Sequence, residues 1–213
     1  MAFTFPLAWT SFAALLPIMS ASWRLRRFEE MTWTGTSRPD VSELAEPRWS
    51  CRVQLGVLHH EEAAEIQALI ELHGSAHPFL LHDPARPAPR HDPTGAILGA
   101  ATPQIASISA AGVAVQGLPA GYQIARGDLL ALTHGGVQFR ALHVALADVS
   151  ANGSGLTPAI PLLPAPRPLA ATGHPVTLIK ATGLMVALPD SYDPGHSDGQ
   201  VVRGMSFDAI EAW

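Results

Sequence analysis

The sequence predicts a mainly β protein, a β-barrel or β-sandwich with one main α-helix at about residues 60–73. Three observations carry this. From Gln123 to Pro166 the chain reads as a run of hairpins, with turns at Arg126-Gly127-Asp128, His134-Gly135-Gly136 and Asn152-Gly153-Ser154-Gly155. Between Arg48 and Leu58, apolar residues recur at every second position (Trp49, Cys51, Val53, Leu55, Val57), as a strand with one buried face requires. The composition also suits many turns and a sizeable core: 47% apolar, 15% charged, 18 glycines and 19 prolines in 213 residues.

The elements follow in order. Residues 1–20 form an arm or short helix able to bury Phe3, Phe5, Trp9, Phe12, Leu15 and Leu16. Ser20 to Trp33 alternates Trp23, Leu25 and Phe28 with arginines and glutamates and reads as a strand with one wet face. A loop at Thr34 to Pro39 separates it from the Trp49 strand. In His60 to Leu72 the stripe Ala63, Ile66, Leu69, Ile70 and His73 has helical spacing, with Glu61 and Glu62 in the first turn and Gly74 just past the end.

Phe79-Leu80-Leu81 is a short strand, and the four prolines of His82 to Pro93 rule out regular structure there. Ile97 to Val115 fits two strands about Ala110-Ala111-Gly112. In the hairpin run, LLAL (129–132) is a short apolar strand and residues 137–149 return as a long one. LTPAIPLL, with Pro158 and Pro161, belongs at a sheet edge. Val176 to Lys180 and Leu184 to Leu188 read as a hairpin about Thr182-Gly183, and Val201 to Trp213 as a strand and a short apolar helix. The total is roughly nine to twelve strands, divided as an N-terminal β domain with the helix (1–94) and a C-terminal β-barrel or hairpin domain (95–213).

Charge and cysteine usage narrow the function. There are 13 Lys plus Arg against 18 Asp plus Glu, a net charge of −5, and Lys180 is the only lysine. No basic run is dense enough for nucleic-acid binding through phosphates. The single cysteine, Cys51, forms no intrachain disulfide and no Cys-based zinc cluster, and reads as a buried apolar residue. The apolar run Phe12 to Met19 is short and interrupted by Pro17, and the arginines follow it rather than precede it. A soluble chain without a targeting signal is expected.

Candidate chemistry is thin. His82, Asp83, His91 and Asp92 could supply two nitrogen and two oxygen ligands, but on a proline-rich loop that nothing orients. His59 and His60 are adjacent and diverge. His134 and His143 could meet across a hairpin as packing partners. Asn152-Gly153-Ser154-Gly155 resembles part of a nucleophile elbow but sits in a hairpin turn. Glu29, Glu30 and Glu43 are carboxylates with nothing to fix an acid against a base. Trp9, Trp23, Trp33 and Trp49 fall on apolar positions and read as core or interface anchors. No catalytic, cofactor-binding or metal site is assigned, and no enzyme activity or cofactor is expected.

Several segments resemble tail-tip proteins of long-tailed bacteriophages, the distal tail and related minor tail proteins: WRLRRFEEMTWTG (23–35), the Trp49 strand with its helix up to Gly74, Phe79-Leu80-Leu81-His82-Asp83-Pro84, and Arg126-Gly127-Asp128 through ADVSANGSG (147–155) to Pro164. The resemblance implies a virion structural protein of the tail tip or baseplate, made in the host cytoplasm. It implies a homo-oligomeric ring, a hexamer in that family, joining the tail tube protein to the tail hub and other tip proteins. DNA would pass through its lumen without specific binding, and no membrane is involved. Low charge and extended arms agree with a ring subunit; the arm at Phe3, Phe5, Trp9 and Phe12 and the loop His82 to Pro93 are expected to lie on neighbouring subunits. The alternatives are a monomeric β-sandwich module binding carbohydrate or a host surface, and a cell-wall hydrolase or peptidase of the same tip.

Overall fold

A computed structural model of the protein describes residues 5–6, 10, 12–33, 35, 38–74, 76–135 and 139–212. Phe3, Trp9 and Trp213, with most of the 34–37 turn, lie outside them. The fold is mainly β with one α-helix, and its sheets stack in layers without closing into a barrel. Sixteen strands occur among the described residues, more than the sequence suggested, because several are two-residue ladders formed only by tertiary pairing.

The first sheet has five antiparallel strands. At its edge, β1 (Ile18–Trp33) and β2 (Pro39–Leu55) make one long hairpin. Next to β2 lies β16 (Ser206–Glu211), then β13 (Thr182–Ala187), then β4 (Phe79–His82). The last thirty residues therefore return to the sheet begun by the first ninety. β16 is a strand where a helix was expected: Phe207 and Ala209 alternate into the core while the backbone fills the place between β2 and β13.

One face of this sheet is covered by α1 (His60–His73) and by a 3-10 turn at Ala13–Leu15. Ala63, Ile66 and Ile70 of the helix pack with Val53 and Leu55 of β2, and Leu69 is only partly buried. The helix starts with a capping box in which the His59 amide donates to the Glu62 carboxylate (3.1 Å), and it ends where the Gly74 amide donates to the Ile70 carbonyl. Phe12 is 1% exposed, with its ring 4.3 Å from His73 and 4.9 Å from Phe79. Phe5 stacks on His77. These two arm residues complete the protomer's own core rather than a neighbour's.

The second sheet orders β11 (Leu162–Leu163), β9 (Arg140–Ala145), β8 (Leu129–Thr133) and β12 (Val176–Thr177). Every residue of β8 is buried, because its two faces meet different layers. Leu129 and Ala131 join Trp49, Leu142 and Ala181 against the first sheet. Leu130 and Leu132 point into a second core with Ile105, Val113, Val115 and Ile160, roofed by the hairpin β5 (Gln104–Ser109) and β6 (Gly112–Gln116). This is why LLAL carries no alternation. The return strand begins at Arg140 and stops at Ala145, shorter than the sequence suggested. Two small ladders complete the fold: β7 (Gln123–Ile124) with β10 (Val149–Ser150), and β3 (Leu58–His59) with β15 (Val201–Arg203) and β14 (His196–Asp198).

β12 and β13 do not form the expected hairpin. β12 pairs with β8 in the second sheet and β13 with β4 and β16 in the first. The chain changes sheets at Lys180, whose φ is 47° and whose amide donates to the Pro87 carbonyl. Gly183 is an ordinary strand residue there, where an added Cβ would sit 3.4 Å from Leu142.

Candidate interaction surface on the long ribbon

The hairpin β1–β2 is longer than the sheet it belongs to. β16 pairs with β2 only from Ser50 to Gln54, so among the described residues the part of the ribbon beyond Arg26 and Arg48 has no further strand beside it. Its outer half is exposed: every residue from Pro39 to Glu46 of β2, and Glu29 to Trp33 of β1. Pro39 to Glu46 carries no period-2 apolar pattern, so it becomes a strand by pairing with β1, not by its own periodicity. Register shifts flank Phe28, leaving Leu44 without an opposite partner and bending the ribbon.

Beyond that bend the register is regular. Glu29 faces Glu43, Met31 faces Val41 and Trp33 faces Pro39 on one side of the ribbon. Met31 is 57% exposed, Val41 51%, Leu44 66% and Trp33 68%. Large apolar side chains thus stand in water on a projecting element, ringed by carboxylates. Of the tryptophans read as anchors, Trp49 is buried at the junction of the sheets, its indole N–H donating to the Leu142 carbonyl (2.8 Å). Trp23 is half-buried beside it.

The base of the ribbon is different. Trp23, Leu25, Trp49, Cys51 and Val53 turn toward the covered side. The opposite side carries Ser22, Arg24 and Arg26 of β1 beside Arg48, Ser50 and Arg52 of β2. No layer covers it. A groove of about 210 Å³ runs between these side chains, with Cys51, Ala209, Leu188 and Asp208 also lining it. Arg24 touches the Ser50 hydroxyl (3.4 Å), Arg52 lies 3.8 Å from Asp208, and Arg26 stacks over Phe28.

The ribbon is tied to the body at its middle. Arg167, buried between the sheets, donates to Glu46 (2.7 Å) and to Glu211 (3.1 Å). Glu211 also accepts from the amides of Leu142 (2.8 Å) and Trp49 (3.4 Å), so one carboxylate joins β16, β9 and β2. Burial pushes the Glu211 carboxyl up; the Leu142 amide, Arg167 and the Trp49 amide pull it back. No charge in the sequence marked Arg167 or Glu211 as this junction, because their partners are 121 and 44 residues away in the chain.

The remaining candidates are scaffold. Asp83 accepts from the Ala85 amide and from Arg86; Asp92 accepts from the Ile97 and Leu98 amides and from the Tyr122 hydroxyl. Their oxygens hold the loop itself, and among the described residues no three His, Cys, Asp or Glu side chains converge as a metal site. His82 is buried and His91 exposed. The loop also rests on its own protomer, where the Arg90 amide donates to Asp128 and its guanidinium to the Arg126 carbonyl; the expected seat on a neighbour is not needed to order it. Asp128 further accepts from the Ala125 amide, closing the Arg126-Gly127-Asp128 turn. Asn152 accepts from the Ser154 hydroxyl and the Ser154 and Leu156 amides, so Ser154 belongs to a side-chain-closed turn. His60 bonds the Gly199 carbonyl, whereas His59 caps the helix.

His143 lies opposite Leu130, not His134, and its Nδ1 donates to the Pro164 carbonyl (2.8 Å). Glu29 and Glu43 do come together, on the exposed outer half of the ribbon, and Glu29 pairs with Arg27 (3.2 Å).

No helix among the described residues is long and apolar enough to cross a membrane. Comparison with protein-family models finds no match, and neither does comparison with curated proteins.

Proposed function

We propose that this chain is a structural subunit of a phage tail tip, assembling into a homo-oligomeric ring that joins the tail tube to the distal hub and lets DNA pass. The observation that carries this reading is the outer half of the β1–β2 ribbon. Burying a large apolar side chain is worth roughly 1.5–3 kcal/mol, yet Met31, Trp33 and Val41 stand exposed together on one side of the outer hairpin. Such a patch fits a surface completed by association. The tie of Arg167 to Glu46 supports it, because it holds the ribbon in one direction and lowers the ordering cost of docking.

Asp92 and Asp128 accept from backbone amides of their own loops, and His143 donates to the Pro164 carbonyl. The test is location in particles. Gold-labelled antibody against this chain is expected at the distal end of intact tails. Tailed particles that lack the chain altogether would overturn the proposal, and a purified monomer that retains a cell-wall polysaccharide through Trp33 would put the carbohydrate module in its place.

A further inference from the structure

The two halves of the ribbon carry opposite charge. Residues 18–26 and 47–55 contain Arg24, Arg26, Arg48 and Arg52 and no acid. Residues 27–46 contain five carboxylates against two arginines. Within each half, like charges stand directly opposite: Arg26 across from Arg48 at the base, Glu29 across from Glu43 at the tip. Directly opposed like charges destabilise a strand pair. The base of the hairpin is therefore net positive and its outer half net negative, and the two are complementary in charge.

The register shifts at Phe28 mark the boundary between the two halves. We infer that the arginine face at the ribbon base is the receptor for the acidic, apolar tip of the same ribbon in a second copy of this chain. Glu29 and Glu43 meet Arg24 and Arg26, and the flanking Met31 and Trp33 cover the groove between the arginines. Each copy then offers one tip and one base, so the contact is head-to-tail and continues from copy to copy. The inference rests on the ring reading above and names the surface that closes it.

The experiment uses three forms of the full-length chain: wild type, Arg24→Glu/Arg26→Glu, and Glu29→Arg/Glu43→Arg. Mass is measured by light scattering, with circular dichroism checking that each is folded. The wild type is expected to assemble, each reversed form alone to stay monomeric, and an equimolar mixture of the two to assemble again, because every tip then finds an opposite base. Reversed forms that assemble alone, or a mixture that does not recover, overturn the inference while leaving the ring reading intact. A wild type that is monomeric throughout removes the ring reading itself. Should a reversed form misfold, salt gives the second measurement: wild-type assembly should weaken steeply from 50 mM to 1 M NaCl (about 14 to 3 Å Debye length), and assembly indifferent to salt overturns the inference. Loss of duplex-DNA retention in the Arg24→Glu/Arg26→Glu form with assembly unchanged would reassign the arginine face and likewise overturn it.

Discussion

His143 sits fully buried, and the charges of Arg167 and His134 also oppose its protonation. Burial lowers its pKa from 6.5 to about 4, against the Pro164 carbonyl, which favours the protonated ring. The folded state therefore wants the neutral imidazole, while the unfolded chain takes up a proton at its ordinary pKa. The stability this contributes is present above about 6.5 and is lost as pH falls from there toward about 4; that interval corresponds to about 3 kcal/mol. His73, His82 and His134 are shifted down as well, by burial first, and add to the same trend. Replacing His143 by Asn keeps a donor near the Nδ1 position and removes the titration. Chemical denaturation across this pH range should then give a visibly flatter stability curve for His143→Asn, and parallel curves for the two proteins would contradict the assignment. Nothing in the sequence pointed to this, since the burial of a histidine depends on which strands come to lie on either side of it.

At the scale of elements, the pieces with their own local signal were the legible ones. The helix was visible in its spacing and its first-turn glutamates, and the inner half of β2 in its alternation, because each buries one stripe or one face. Elements made by pairing were not visible. Pro39 to Glu46 has no apolar rhythm, yet it doubles the length of the ribbon and builds most of the candidate surface. Gly183 looked like a turn because glycine is cheap at positive φ, but here it is an extended strand residue where β13 packs beside Leu142. Within the helix the structure separates two residues the sequence treated alike. Ile70 is 4% exposed, whereas Leu69 lies at the core's margin beside a shallow groove with Leu15 and Val57. Ile70→Ala should cost about 2–5 kcal/mol in equilibrium unfolding, with Leu69→Ala clearly less. Equal costs would mean that both faces are packed alike.

For the whole molecule, the fold class was legible in composition and hairpin rhythm, while the way the layers interlock was not. The first sheet takes strands from both ends of the chain, and the second sits between it and the β5–β6 roof with both faces covered. This arrangement draws Phe5, Phe12 and the loop His82 to Pro93 into the protomer and leaves the outer ribbon as the apolar element that projects. The sequence directed attention to the two irregular segments, whereas exposed Met31, Trp33 and Val41 lie on paired strands. A ribbon that places exposed Trp33 and Met31 beyond the body is the basis on which the chain is read as an assembling subunit. The mass of the full-length protein in solution, measured by light scattering over a wide concentration range, tests that reading most directly. The account predicts a discrete species several times 22.5 kDa. A particle of 22.5 kDa at every concentration would contradict it.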